Sequence, residues 1–242
     1  MIRPLTLITG ASRGIGAEIT RQAAKQGHDL ILVARSLSPA LSAVAAEATA
    51  AGSQVRVLPC DLADPSAILA LFDQLNDLDR PLTGLVNNAV HVGTRGPLVE
   101  MDLEDLDRVL ATNVRAPLLM CRGALARMGH GGTIINLSSQ SAQFGGNGLS
   151  AYAASKAAIN GLTISLAREV AGRGIRVVGV SPGPVKTEPL LSLPPERLAA
   201  MERDLPMGRF CTAAEIAQTV LWLMSVEASY ISGVILPVHG AR

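Results

Sequence analysis

Cysteine is scarce in this chain of 242 residues: Cys60, Cys121 and Cys211 stand far apart and are odd in number. That excludes a paired disulfide framework and the CxxC spacing of a structural metal site, and it suits a reducing cytoplasm. Histidine is equally thin. His28, His91, His130 and His239 have no neighbours at metal-ligand spacing, so no metal is expected. No charge of one sign accumulates: 21 lysines and arginines face 20 acids for a net +1, without the basic stripe of a nucleic-acid binder. Charges or helix breakers interrupt every apolar stretch well short of about 18 residues, so no membrane span is expected. Met1-Ile2-Arg3-Pro4 runs straight into a strand-like segment, with no apolar leader or cleavage site. Only two tyrosines (Tyr152, Tyr230) and three lysines (Lys25, Lys156, Lys186) occur, against eighteen arginines.

What is abundant is apolar: 48% hydrophobic against 17% charged, a composition that builds a core and not a disordered chain. Near-continuous apolar runs at Leu5–Thr9, Leu30–Val33, Val55–Pro59, Leu85–Asn88, Thr133–Leu137, Arg176–Val180 and Val234–Val238 read as parallel strands covered on both faces. Helical patterns fill the gaps: Gly14–Gln26, Pro39–Ala51, Pro65–Leu78, Leu103–Met128, Ala151–Gly172 and Ala213–Ser225. Asp64 and Thr212 read as N-caps, and Gly27 and Gly52 sit where helices end. The alternation predicts an α/β fold: a Rossmann-type doubly wound sheet of seven parallel strands with helices on both faces, in one domain over 1–242. One irregular stretch, Pro182 to Thr212, carries six prolines and follows the sixth strand. A loop of this length at the carboxyl edge of such a sheet reads as a substrate lid, at about 184–212.

The first strand ends in Thr9-Gly10-Ala11-Ser12-Arg13-Gly14-Ile15-Gly16, where a helix begins. Glycine permits a tight turn and close backbone approach, and the helix N-terminus offers free N–H groups to a pyrophosphate. The spacing is Gly-x3-Gly-x-Gly rather than GxGxxG, so the turn alone is modest support for a dinucleotide site. An NAD site would carry an acid at the end of the second strand. Arg35 stands there instead, nineteen residues beyond Gly16. Its guanidinium can clamp a ribose 2′-phosphate, and Arg13 can reach the same group, so NADP(H) is favoured over NAD(H). Two arginines that merely face water would read the same way.

Tyr152-Ala-Ala-Ser-Lys156 puts a phenol and an ammonium on one helix face. A cation about 5 Å from a phenol, at an effective dielectric near 20, supplies roughly 3 kcal/mol, or roughly 2 pK units. The expectation is a tyrosine brought from near 10 into range for general acid–base work.

These motifs, with Asn87-Asn88-Ala89, Asn113 in Ala111-Thr112-Asn113-Val114, Ser139 thirteen residues before Tyr152, and Ser181-Pro182-Gly183, resemble the compact short-chain dehydrogenase/reductases over essentially the whole chain. The type most similar is the 3-oxoacyl-thioester reductase. The resemblance implies that Tyr152 protonates a carbonyl oxygen while hydride arrives from NADPH, and that Ser139, rather than its neighbour Ser138, hydrogen-bonds that oxygen. Lys156 would hold the nicotinamide ribose and lower the phenol pKa. Asn113 would fix a water linking Lys156 to solvent, unless its amide only satisfies helix backbone. The cofactor would rest on Gly10, Ser12, Arg13, Gly14, Ile15 and Gly16, with Asp61 and Leu62 at the adenine. Asn87 and Ala89 would line the adenosine, and Thr187, after Pro182 and Gly183, would contact the carboxamide.

Two departures stand out: Val90 replaces the family's usual glycine, and Val238-His239-Gly240-Ala241 replaces Val-Asp-Gly-Gly. The first implies a slightly displaced loop. The second bears on subunit contacts, so His239 is expected to affect assembly or stability before chemistry. The resulting expectation is an NADPH-dependent oxidoreductase acting on a small-molecule ketone or aldehyde, with a 3-oxoacyl thioester on an acidic carrier among the options. It would be cytoplasmic and a homotetramer or dimer, with no nucleic acid or membrane partner. The alternatives are a cofactor-sensing protein on a reductase scaffold and an alcohol or sugar dehydrogenase working oxidatively. An extended epimerase or dehydratase would need a larger C-terminal lobe.

Overall fold

The strands, in a computed structural model that describes residues 3–241, are β1 (Leu5–Thr9), β2 (Asp29–Ala34), β3 (Val55–Pro59), β4 (Leu82–Asn87), β5 (Met128–Leu137), β6 (Arg176–Pro182), β7 (Val185–Lys186), β8 (Cys211–Thr212) and β9 (Ile235–Val238). Met1 and Ile2, part of the segment read above for a leader, lie outside the described residues, as does Arg242. The helices are α1 (Gly14–Lys25), α2 (Pro39–Ala50), α3 (Pro65–Asp73), α4 (Leu103–Leu110), α5 (Ala116–Leu125), α6 (Ser141–Phe144), α7 (Ser150–Val170), α8 (Glu188–Leu191), α9 (Pro195–Arg203) and α10 (Ala213–Met224).

Seven strands form one parallel sheet in the order β3-β2-β1-β4-β5-β6-β9, and β7 pairs with β8 alone. The order reverses between β1 and β4, and the crevice outside their carboxyl ends is where such sheets bind ligands. Both faces are covered. Leu7, Ile31, Leu85, Ile134 and Val177 pack on one side, while Ile8, Leu32, Val86, Ile135 and Val178 pack on the other. Double coverage is why the strands read as unbroken apolar runs instead of alternating ones. Asp64 accepts from the Ser66 N–H as the cap of α3, and Thr212 with Glu215 forms a reciprocal capping box on α10.

The predicted helix Leu103–Met128 is three pieces. Pro117 has no N–H to give the carbonyl of Asn113, four residues back, and the backbone widens into a π turn at Ala111–Arg115 between α4 and α5. The helix stops at Leu125, and Met128 already belongs to β5, where it pairs with Leu82. Likewise α3 ends at Asp73 instead of Leu78. The lid is less irregular than the prolines suggest. Pro189 and Pro195 fall in the first turns of α8 and α9, where a missing N–H costs nothing, and β7 and β8 tie the two ends of the segment together.

Thr9 locks β1 to β4 at the switch point. Its hydroxyl accepts from the N–H groups of Asn88 (3.0 Å) and Ala89 (3.1 Å) and donates to the Val86 carbonyl (3.2 Å). Replacing it with valine keeps the shape and leaves two amides without an acceptor. We expect Thr9→Val to lower unfolding free energy by about 2 kcal/mol in urea titrations, against a change of a few tenths if the hydroxyl is immaterial.

Candidate active site

The glycine turn is welded to the β4 loop. Gly10 has φ +67°, and a Cβ there would stand 2.8 Å from the Asn88 side-chain nitrogen. A Cβ at Gly16 would overlap the Gly10 carbonyl oxygen. Asn88 Nδ2 donates to the carbonyls of Thr9 (2.9 Å) and Gly10 (3.2 Å) and so fixes the turn in this shape. The first turn of α1, entered at Arg13, opens toward the crevice with no side-chain cap on its N–H groups. The cradle fits a pyrophosphate: free donors at a helix N-terminus, approached by backbone that has no room for side chains. Asn88 was not singled out in the sequence, although the Asn87-Asn88 doublet contained it.

The remaining nucleotide residues are distributed as follows. Ser12 and Ile15 are half-buried in the turn, Ile15 against the core. Arg35 is exposed just past β2 and has no ion-pair partner among the described residues. Arg13 is committed to Glu188 at 2.8 Å, a contact between two exposed groups that links the glycine turn to α8. Asp61 pairs with Arg108 at 3.2 Å and accepts from the Ala63 N–H, while Leu62 is buried in the core. The Asn87 amide turns away into the interior, donating to Asn136 Oδ1 (2.9 Å) and Cys121 (3.4 Å). Its side chain therefore joins β4 to β5, and only Ala89 and the backbone remain on the crevice side. Thr187 lies over Gly14, whose Cβ would meet its methyl at 3.5 Å. Val90 is exposed and does not adopt the left-handed backbone that would require glycine.

Ser139, Tyr152 and Lys156 converge. β5 delivers Leu137, Ser138 and Ser139 to the carboxyl edge, and α7 lays Tyr152 and Lys156 against them. Ser139 lies close enough to Tyr152 to favour its ionised form, and its Oγ accepts from the Ser141 N–H at 3.1 Å, whereas Ser138 is buried and turned to Asn160 at 2.6 Å. Lys156 is 4% exposed; its amine donates to the Leu137 carbonyl at 2.6 Å and lies 5.9 Å from the centre of the Tyr152 ring.

One electrostatic expectation is reversed. Burial raises the Tyr152 pKa, only partly offset by Ser139, and no lowering by Lys156 accompanies it. Burial also brings Lys156 down to about 8, so the cation meant to lower the phenol is itself easily discharged.

Asn113 sits in the π turn, 1% exposed, with both ends of its amide engaged. It accepts from the His91 N–H, donates to the His91 carbonyl (each 2.8 Å), and donates to Ser155 Oγ at 3.0 Å. Ser155 in turn donates to the Tyr152 carbonyl at 2.7 Å. The side chain thus braces the β4 loop against α7. His91 is pinned further by Asp105, 2.7 Å from its Nε2. Neither Ser155 nor His91 was among the site residues read from the sequence; what joins them is Asn113 in the π turn, which no periodicity announces.

A profile of the family described as Enoyl-(Acyl carrier protein) reductase matches residues 10–240. The chain is 38% identical to the uncharacterized oxidoreductase YgfF of Escherichia coli (strain K12), over 98% of this chain and 99% of that one. The structure of a short-chain dehydrogenase/reductase from Serratia marcescens BCRC 10948 superposes with a TM-score of 0.92 at 34% identity, covering 98% of this chain and 97% of that one. The chain belongs to the short-chain dehydrogenase/reductase family. A further structure, a blue fluorescent protein from a metagenomic library in complex with NADPH, matches with a TM-score of 0.91 at 35% identity over 98% and 97% of the two chains. As a member of this family the chain is an oxidoreductase. Within the lid Leu205 and Phe210 are core residues, whereas Leu191 and Met207 are 55% and 60% exposed beside the crevice.

A lysine whose folded pKa lies below its unfolded value disfavours folding while charged, so stability rises as pH climbs from about 8 to 10.5. Comparing wild type with Lys156→Met in chemical denaturation across that window, we expect the stability of wild type relative to the variant to rise by about 3 kcal/mol, the cysteines and Tyr152 titrating in both. Parallel pH profiles would show that the amine is not buried in this way.

Proposed function

We propose that the protein is an NADPH-dependent carbonyl reductase, converting a ketone or aldehyde to its alcohol. The observation that carries the reading is the buried Lys156 amine 5.9 Å from the centre of the Tyr152 ring, with Ser139 beside them just past the end of β5. Two neighbouring hydroxyls are suited to an oxygen atom that gains charge. A carbonyl oxygen placed there accepts from both, and Ser139 stabilises its developing charge while Tyr152 delivers the proton. NADPH, when bound, supplies the hydride, so the carbonyl carbon gains C–H and the oxygen becomes O–H.

Lys156 serves in two ways. Its amine, near 8, exchanges protons readily at neutral pH, and it would hold the ribose of a bound nicotinamide. Asn113 acts through Ser155 and His91 as a brace for α7. Gly10, Ser12, Gly14, Ile15 and Gly16 would carry the pyrophosphate, with Asp61, Leu62 and Ala89 toward the adenosine. Pro182, Gly183 and Thr187 would flank the nicotinamide. Arg35, exposed and unpaired at the end of β2, suits a ribose 2′-phosphate, and Arg13 joins it once released from Glu188. The reading extends to a cytoplasmic homotetramer or dimer: Leu110, Leu118 and Ile164 leave apolar surface on α4, α5 and α7.

Two variants test the assignment. Tyr152→Phe should bind NADPH with nearly unchanged affinity and lose turnover by at least about a hundredfold; near-normal turnover would remove Tyr152 as the acid. Arg35→Asp should shift the ratio of kcat/KM for NADPH over NADH toward NADH by about tenfold or more, since one charged hydrogen bond is worth about 1.5–3 kcal/mol. An unchanged ratio would place Arg35 outside the site.

A further inference from the structure

Three chain segments meet beside Ser139, and two of them bring a buried polar atom that no group in the protein satisfies. Gln140 follows Ser139 directly. Its backbone N–H is tied to the Pro182 carbonyl at 3.0 Å, and its side-chain Oε1 is buried with no hydrogen-bond partner. His239 arrives from the end of β9, where the Gly183 N–H donates to the Val238 carbonyl at 3.0 Å. Gly183 leaves the space that the histidine fills: a Cβ there would stand 2.9 Å from both Cα and Cβ of His239. The His239 ring meets Phe144, the last residue of α6, edge to face at 6.3 Å, and its Nδ1 is likewise buried and unpartnered. The lid is the third segment: Met207 packs on Gly240, with its sulfur 3.2 Å from where a Cβ would be.

Buried polar atoms left without a partner carry a desolvation cost of about 1–3 kcal/mol each, and they are rare in folded proteins. Here two occur on the same Pro182–Gly183 corner, one residue along the chain from the serine that would receive the carbonyl. Gln140 Oε1 accepts only. A histidine whose Nδ1 carries the proton donates there, and one group satisfies both: a hydroxyl, which gives its hydrogen to Gln140 and takes one from His239.

Building on the carbonyl-reductase reading, we propose that Gln140 and His239 form a hydroxyl-recognition subsite and that the preferred substrates are hydroxyketones, with the hydroxyl one or two carbons from the reacting carbonyl. Phe144 supplies the apolar wall against which the substrate carbon chain lies, and Met207 closes the subsite from the lid. On this reading the histidine that replaces the family's usual aspartate selects substrate, in addition to any part it has in assembly. A site built to hydrogen-bond a hydroxyl discriminates strongly against the isosteric methyl, because the methyl leaves the site's own polar atoms unpaired.

The test pairs isosteres: hydroxyacetone with butanone, and 4-hydroxy-2-butanone with 2-pentanone. Wild type should show kcat/KM at least about tenfold higher for one or both hydroxyketones than for the matched ketone. Gln140→Leu and His239→Phe, which keep bulk and the Phe144 contact, should each reduce that ratio to within about threefold of unity. Equal kcat/KM for both pairs in wild type overturns the subsite whether or not the variants fold. Independently of turnover, 15N NMR of histidine-labelled protein loaded with NADP+ should show the Nδ1 signal of His239 move on addition of hydroxyacetone and not of butanone. A moving signal without turnover of any ketone would retain the subsite and defeat the reductase reading. Turnover with no selectivity and a still signal would do the reverse.

Discussion

Everything at the crevice depends on a lysine amine buried beside a phenol with a single carbonyl to hold it. Lys156 donates to Leu137, the last residue of β5, and that bond fixes α7 against the carboxyl end of the central sheet. The same strand end carries Ser139 close to Tyr152. Were the amine in water it would need no partner and would anchor nothing. Because it is enclosed, it discharges near neutral pH, and its position is decided by one backbone oxygen.

That enclosure changes how the phenol must be understood. A cation at close range lowers a phenol pKa only while it is charged and aimed at the hydroxyl. Lys156 is easily neutralised and points to Leu137, and Tyr152 is raised by burial. The protein by itself therefore holds a reluctant acid. The oxidised nicotinamide ring is cationic, and a positive charge beside the phenol favours the phenolate. On the proposed reading, activation of Tyr152 would be coupled to occupancy of the dinucleotide crevice.

The sheet and most helix starts were legible in the sequence because burial on both faces writes unbroken apolar runs, and because Asp64-Pro65 and Thr212 with Glu215 are local capping signals. The closeness of Ser139 to Tyr152 was legible from spacing, since the strand end and the helix face bring residues 139 and 152 near each other. The π turn at Ala111–Arg115 was not: Pro117 falls inside the helix read over Leu103–Met128, and it marks a break only once its effect on the carbonyl of Asn113, four residues back, is traced. The partners of Asn113, Arg13 and Asp61 were also hidden. They lie on elements distant in the chain, and the text names a residue's chemistry without naming which neighbour occupies it. Asn87 shows the same limit: the doublet marks the loop, and the register of β4 against β5 decides which of the two amides faces inward.

With only two tyrosines in the chain, and Tyr230 fully exposed, 13C NMR of ring-labelled tyrosine resolves the group on which the account turns. Titrated without nucleotide, Tyr152 should deprotonate above the ordinary value of about 10, and with saturating NADP+ it should deprotonate below it. A Tyr152 that already ionises below about 10 in the free protein, or that stays above it when the dinucleotide is bound, would contradict the account.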